Sequence, residues 1–279
     1  MTEINELVAP PAPHSPGDNE SCPFCPLPKP EDFTTHPGSA NDSKVLEDVM
    51  GDPSALVGKQ GGARPKDGNT QRQRASQAKP KPDPIFRNNK WGAYSSEAHH
   101  LISGNQALKG HPIEKWIVGG SLIKKDTGYC VNNSDNGEWL PSIPEGHKGG
   151  AWSPLSLEDK TEIASAPMRR GKGQFHKGPH NVVDKEDMLG VHKSYPKEVK
   201  KLLSALMEVI QGWAAVCPIC DGTDPDQGPF DPNWRVHDML DSLSRGIGVD
   251  LKGPPGHWYY FISRVALEFH RTVCEHKSS

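Results

Sequence analysis

Two adjacent histidines, His99 and His100, close a short half-polar run, Trp91-Gly92-Ala93-Tyr94-Ser95-Ser96-Glu97-Ala98, and are followed by Leu101 and Ile102. In an extended run, neighbouring side chains point to opposite faces. The two imidazoles therefore divide their labour: one is placed to hold a metal while the other takes a proton from a water. Downstream lie a polar residue, Asn136, and a second histidine pair, His176 and His180. Phosphodiester hydrolysis needs a metal to neutralise charge, a base for water and a fixed geometry. His99, His176 and His180 are the right residue type for the metal shell, and imidazole favours Zn, Ni and related ions over Mg, which prefers oxygen. His100 fits the general base, because imidazole titrates near working pH. Asn136 is placed to orient that imidazole by hydrogen-bonding one ring nitrogen.

Several elements must position these residues. Ile85, Phe86, Trp91 and Tyr94 open a folded region leading into the histidine pair, and Asn105–Leu108 and Pro112–Ile117 read as short helical turns. Tyr129-Cys130-Val131 and Glu138-Trp139-Leu140 read as the strands of a hairpin around the turn sequence Asn132-Asn133-Ser134-Asp135-Asn136-Gly137. Residues 141–166 read as a loose Gly/Pro/Ser-rich stretch. His176 and His180, four apart, would share one side of a helix. Gly178 and Pro179 oppose a helix interior there, although a helix starting close to Pro179 tolerates the proline. Val199, Leu202, Leu203, Leu206 and Ile210 form an apolar stripe that predicts a helix over 199–210. A last helix is expected from Trp258 to about Cys274, with Phe261, Val265 and Phe269 on one face.

Composition bounds the rest. The 279 residues hold 28 Gly and 27 Pro and are only 34% hydrophobic, so part of the chain is not packed core. Residues 1–83 are expected to be largely disordered. They include a Pro-rich opening, one short helix over Ser43–Met50 with Asp42 as its N-cap, and a polar tract that cannot offset its own ordering entropy. A formal charge of −3 excludes a polycationic coat for nucleic acid, so any such contact must be a local basic patch. No apolar run reaches the roughly 18–20 residues that span a bilayer, and Met1–Glu6 lacks the layout of a secretory signal. A chain made in the cytoplasm, without a membrane partner, is expected. Cys22-Pro23-Phe24-Cys25 and Cys217-Pro218-Ile219-Cys220 have zinc-knuckle spacing and together would make one four-thiolate structural zinc site. A redox pair at Cys22 is disfavoured, because Pro26, Pro28 and Pro30 prevent the helix it would need.

Ala98-His99-His100-Leu101-Ile102, Asn136-Gly137-Glu138-Trp139-Leu140-Pro141 and His176-Lys177-Gly178-Pro179-His180 occur in that order. The ordered set resembles the AHH family of toxin nucleases, within the HNH/endonuclease VII (His-Me finger) superfamily, over about residues 84–210. Tyr195 followed by a helix is similar to that family's ending. The resemblance implies an α+β fold with a small ββα-metal core and helical additions. The resemblance covers a nuclease domain (84–210), which composition and helical spacing flank with a disordered segment (1–83) and a helical C-terminal extension packed on the core (211–279). It implies His99, His176 and His180 around one divalent metal (Zn, Ni, Mn or Mg), His100 as base and Asn136 as its orienting residue. An insertion, Asn181 to His192, separates His180 from Tyr195 and makes His192 an alternative third ligand. The resemblance also implies a toxin effector that leaves the producer through a specialised secretion apparatus or its adaptor, acts in a target cell's cytoplasm, and is blocked at home by an immunity protein.

Arg169, Arg170, Lys172 and Lys177 cluster before and within the last motif and are expected to neutralise backbone phosphates of DNA or RNA. Two other functions fit parts of the pattern. A non-enzymatic, zinc-organised binding module would use the same cysteines and histidines structurally. A zinc nucleobase deaminase is rejected, because no His has Glu two residues later and Val216, not Pro, precedes Cys217.

Overall fold

A computed structural model describes residues 41–53, 77–178, 180, 182, 193–216, 229 and 235–275. It is a mixed α+β arrangement. The sheet has three antiparallel strands in sequential order: β1 (Phe86–Asn88), β2 (Gly92–His100) and β3 (Gly137–Pro144). Helices α1 (Ser43–Gly51), α2 (Leu157–Met168), α3 (Tyr195–Val216), α4 (Arg235–Lys252) and α5 (Arg264–Glu275) surround it. Two short strands, β4 (Lys193–Ser194) and β5 (Tyr260–Phe261), pair in parallel and bring the C-terminal part to the foot of α3.

The short helix expected over 43–50 forms as α1. Asp42 caps it, its carboxylate accepting the backbone N–H groups of Lys44 and Val45, which satisfies donors a helix start leaves orphaned. Leu46, Val49 and Met50 are buried. Leu46 and Met50 pack with Trp139 of β3, contributing roughly 1.5–3 kcal/mol for each side chain removed from water. The expected boundary at 83/84 is therefore crossed: Trp139 also donates its indole N–H to the Lys79 carbonyl (2.7 Å) and Ser96 its hydroxyl to the Pro82 carbonyl (2.9 Å). The boundary at 210/211 falls inside α3, and one apolar cluster joins Leu101, Tyr195, Leu203, Leu240 and Ile262. The C-terminal part packs on and completes the core, as expected of its helices.

Three local expectations change. The strand partner of β3 is β2, with His99 opposite Glu138 and His100 opposite Gly137, so residues 129–131 are not the other half of a hairpin. Tyr129 and Val131 are instead buried in the main core, because their apolar side chains are more useful there than on a sheet edge. The loose stretch at 141–166 holds the end of β3 and most of α2, started by Ser156, whose hydroxyl accepts the Asp159 N–H. Pro167 inside α2 lacks the N–H that would bond the Ile163 carbonyl. The Tyr94 hydroxyl of β2 donates to that carbonyl instead, at 2.7 Å, so the proline's missing bond is turned into a strand-to-helix tie. The final helix starts at Arg264, preceded by β5. The stripe at 199–210 lies within α3, with Val199, Leu203, Leu206 and Ile210 buried.

Candidate metal centre

β2 delivers its last residues to two different environments. Glu97 and His99 alternate onto one face, where the His99 ring lies 4.9 Å from the rings of both His176 and His180, themselves 4.9 Å apart. The candidate ligand nitrogens of the three histidines lie within 4.8 Å of one another. Ala98 contacts the cluster of α1 and Trp139, and His100 beside it reaches Asn132.

The loop carrying His176 is not helical; it is fastened at several points. The His176 N–H donates to the Pro141 carbonyl of β3 at 2.7 Å. Gln174 is fully buried, donates its amide to the Tyr260 carbonyl (2.9 Å) and accepts the Ile262 N–H (3.1 Å). Gly173, at φ +91°, makes the turn into it, and a Cβ there would meet Leu140 Cδ2 at 2.8 Å. Only glycine suits both the dihedral and the space.

Proton bookkeeping fixes what each imidazole offers. His176 Nδ1 faces Glu97 Oε2 at 3.2 Å, leaving Nε2 buried with no hydrogen-bond partner. A carboxylate behind one ring nitrogen orients a ligand histidine and raises the basicity of the other. The orphaned Nε2 is thus a lone pair in a buried cluster of imidazoles, which fits a bound cation. Tyr195 does the equivalent for His99. Its hydroxyl, kept protonated by burial, donates to the Leu101 carbonyl, so its oxygen accepts from His99 Nε2 at 3.2 Å. His99 Nδ1 is then the free lone pair. Burial, followed by the neighbouring His176, His180 and His100, holds His99 well below the usual imidazole range. Burial and His176 pull His180 down to about 4, against the opposing charge of Glu97. Burial pushes the Glu97 carboxyl up, but hydrogen bonds from His176 and Ser142 and the charges of His176 and Lys177 outweigh it and pull it down to about 2. His99 and His180, held neutral by burial, beside an ionised Glu97 carboxylate suit a metal ion at neutral pH.

Asn136 does not touch His100, which corrects its expected role. Its amide oxygen accepts from the Ile102 N–H (2.7 Å) and the Ser244 hydroxyl (2.9 Å), and its amide nitrogen donates to the carbonyls of Ile102 (3.0 Å) and Val131 (2.7 Å). Two lone pairs and two hydrogens are all an amide has, so none is left for an imidazole. Asn136 instead pins the chain just beyond the histidines to the start of β3. The residue that meets His100 is Asn132, with Oδ1 at 2.9 Å from His100 Nε2. The same oxygen accepts the backbone N–H of Asp42 at 3.0 Å. A backbone N–H can only donate, so the atom facing it must be the amide oxygen. His100 Nε2 then carries the proton, and Nδ1 is its basic atom. Burial lowers the His100 pKa, partly offset by the Asn132 bond and the charge of Asp42.

The remaining candidates are distributed unevenly. Lys177 lies 3.6 Å from Glu97 Oε1, at the metal cluster itself. Arg169 caps α2, and Arg170 and Lys172 are exposed just beyond it. Cys22, Cys25, Cys217, Cys220, Pro179 and His192 lie outside the described residues. Glu97 and Asn132 escaped the sequence reading. Glu97 was legible, since period-two spacing puts it on the face of His99. Nothing in Asn132-Asn133-Ser134-Asp135-Asn136 distinguishes which amide reaches the imidazole. Compared with known proteins, the chain matches no family model, no curated protein and no solved structure. No helix among the described residues is long and apolar enough to cross a membrane.

Proposed function

We propose that the chain is a metal-dependent nuclease with a ββα-metal type of core, hydrolysing phosphodiester bonds of DNA or RNA. The observation that carries the reading is the division at the end of β2: His99 joins His176 and His180, while His100 is held by Asn132 with Nδ1 free. Among the described residues three side chains are placed as ligands, a set that would leave a position open, as catalytic sites do, whereas structural zinc sites are closed by four; this favours an enzyme over a zinc-organised module. An all-imidazole set suits Zn or Ni better than Mg or Mn. The ion, when bound, supplies charge neutralisation at the scissile phosphate and its leaving oxygen. Glu97 and Tyr195 fix the tautomers of the two ligand histidines they touch. His100 Nδ1 takes the proton of the attacking water, and Asn132 holds the ring while the charge forms. The wider role, a secreted toxin with a cognate immunity protein, rests on the family resemblance. Growth arrest on expression, relieved by the product of an adjacent gene, would test it.

The direct test is incubation of wild type and His100→Ala with plasmid DNA and total RNA across zinc, nickel, manganese and magnesium. His100→Ala should lose cleavage by about 10²–10⁴-fold, the usual share of a general base, while keeping its bound metal and its melting temperature. Cleavage that survives the substitution removes His100 from the mechanism. A wild type that binds zinc but cuts neither polymer is a binding module.

A further inference from the structure

A second feature lies away from the histidines. The β1–β2 hairpin and the C-terminal half of α2 enclose a cleft of about 680 Å³ whose charged lining is Arg87, Lys90, Arg169 and Arg170 against the single carboxylate of Glu162. Lys90 is already spent: it pairs with Glu162 at 2.7 Å and lies 4.2 Å from the centre of the Trp91 ring. Arg87, Arg169 and Arg170 are exposed and have no carboxylate partner among the described residues. Arg169 instead sits over the Phe269 ring, 5.6 Å from its centre. Three uncompensated guanidiniums around one concavity, in a chain of net charge −3, are a local anion site and not an average surface. With the Trp91 face covered by Lys90, the cleft offers planar cations in place of open aromatic surfaces. That combination suits phosphate oxygens, which guanidinium groups meet in bidentate fashion, and does not suit stacked bases.

Its distance from the metal centre follows from chain geometry. Arg87 is opposite Ala93 in the sheet, six residues along β2 from His99, or about 20 Å at a strand's rise. Arg170 precedes His176 by six residues, so the two are separated by no more than about 21 Å. We infer that this cleft is a second binding site for the phosphodiester backbone, engaging the same polymer about six nucleotide steps from the bond being cut at 3.4 Å per step along a strand. The inference rests on the nuclease reading for its substrate class and extends it. Substrate choice then depends on length: a polymer reaches both sites, and a small phosphodiester reaches only the metal.

The test uses the full chain in chelator, with fluorescent DNA and RNA duplexes of about 20 base pairs titrated at several salt concentrations. Each phosphate contact contributes about 0.9 to the slope of log K against log salt on duplex DNA. Arg87→Glu with Arg170→Glu should therefore weaken binding by about tenfold and lower that slope by about 2, whereas Arg87→Lys with Arg170→Lys should retain it. In zinc, hydrolysis of bis(p-nitrophenyl) phosphate should be the same in all three proteins. Affinities and slopes unchanged by the glutamates, for both duplexes, overturn the cleft. A loss confined to the DNA or the RNA arm supports it and names the polymer. Duplex binding that needs the arginines in a protein that cleaves nothing keeps the cleft and removes the nuclease.

Discussion

At the scale of single residues, the candidate metal centre depends on side chains outside the histidine trio. Glu97 accepts from His176 Nδ1 and from Ser142 and lies 3.6 Å from the Lys177 ammonium, so it favours one tautomer and orientation of His176. Replacing it by Gln keeps the volume but removes the charge that favours a donating Nδ1. Glu97→Gln should weaken zinc binding by about 10–100-fold, the usual cost of losing a ligand's carboxylate partner. Competition with a chromophoric chelator reads this directly, and an unchanged affinity would make Glu97 an ordinary surface acid. The sequence holds this relation in its spacing. It does not hold the Asn132 relation, because an amide in a turn can reach any neighbour within its radius and only the folded backbone selects one.

Among the elements, α1 has a consequence beyond packing. The backbone N–H of its cap residue Asp42 and the His100 imidazole share the Asn132 oxygen. Leu46 and Met50 press the helix onto Trp139, beside the Gly137 that pairs with His100. Gly137 lets α1 approach closely, since a Cβ there would push the Met50 and Leu46 side chains aside. Loosening α1 should thus alter the proposed base, His100, without reaching the histidine trio. Leu46→Ala opens a core cavity and is expected to cost about 2–5 kcal/mol. At temperatures where the variant remains folded, its kcat should fall while zinc affinity is unchanged. Equal loss of both would mean that α1 merely holds the fold. The helix itself was legible, from an Asp cap and apolar residues at helical spacing. Its partner was not, because periodicity states that a face is buried but not what covers it.

For the whole molecule, acid should act against both fold and site. An unfolded chain takes up protons on its histidines near pH 6.5. The folded chain does not do so at His180 until about pH 4, and at His99 only below the usual range. The unfolded state therefore binds more protons in between, and stability, full above about pH 6.5, falls as the pH drops towards 4. Glu97, held at about 2, extends the loss below the ordinary carboxylate range. Bound zinc adds stability on the same side, since its ligands must be deprotonated. At a free concentration of about 100 times Kd it contributes about 2.7 kcal/mol, or roughly 5–10 °C for a domain of this size. Melting curves at pH 7.5 to 4, with zinc and with chelator, check both statements. A flat profile in chelator would contradict the buried neutral imidazoles, and no zinc shift at pH 7.5 would contradict the site.

The sequence by itself determined the chemistry available: paired imidazoles at a strand end, a second pair after a Gly-rich turn, a capped helix before them and an apolar stripe after. These are local matters, fixed by residue type and by periods of two and 3.6. What only the tertiary structure decided is which polar atoms meet. Asn136 is saturated by three backbone groups and the Ser244 hydroxyl, and Asn132 takes the imidazole. Glu97 stands behind His176 across 79 residues, and Arg87 and Arg170 line one cleft. A hydrogen bond is satisfied by whichever partner the packed backbone brings within about 3 Å, and that distance is a property of the fold.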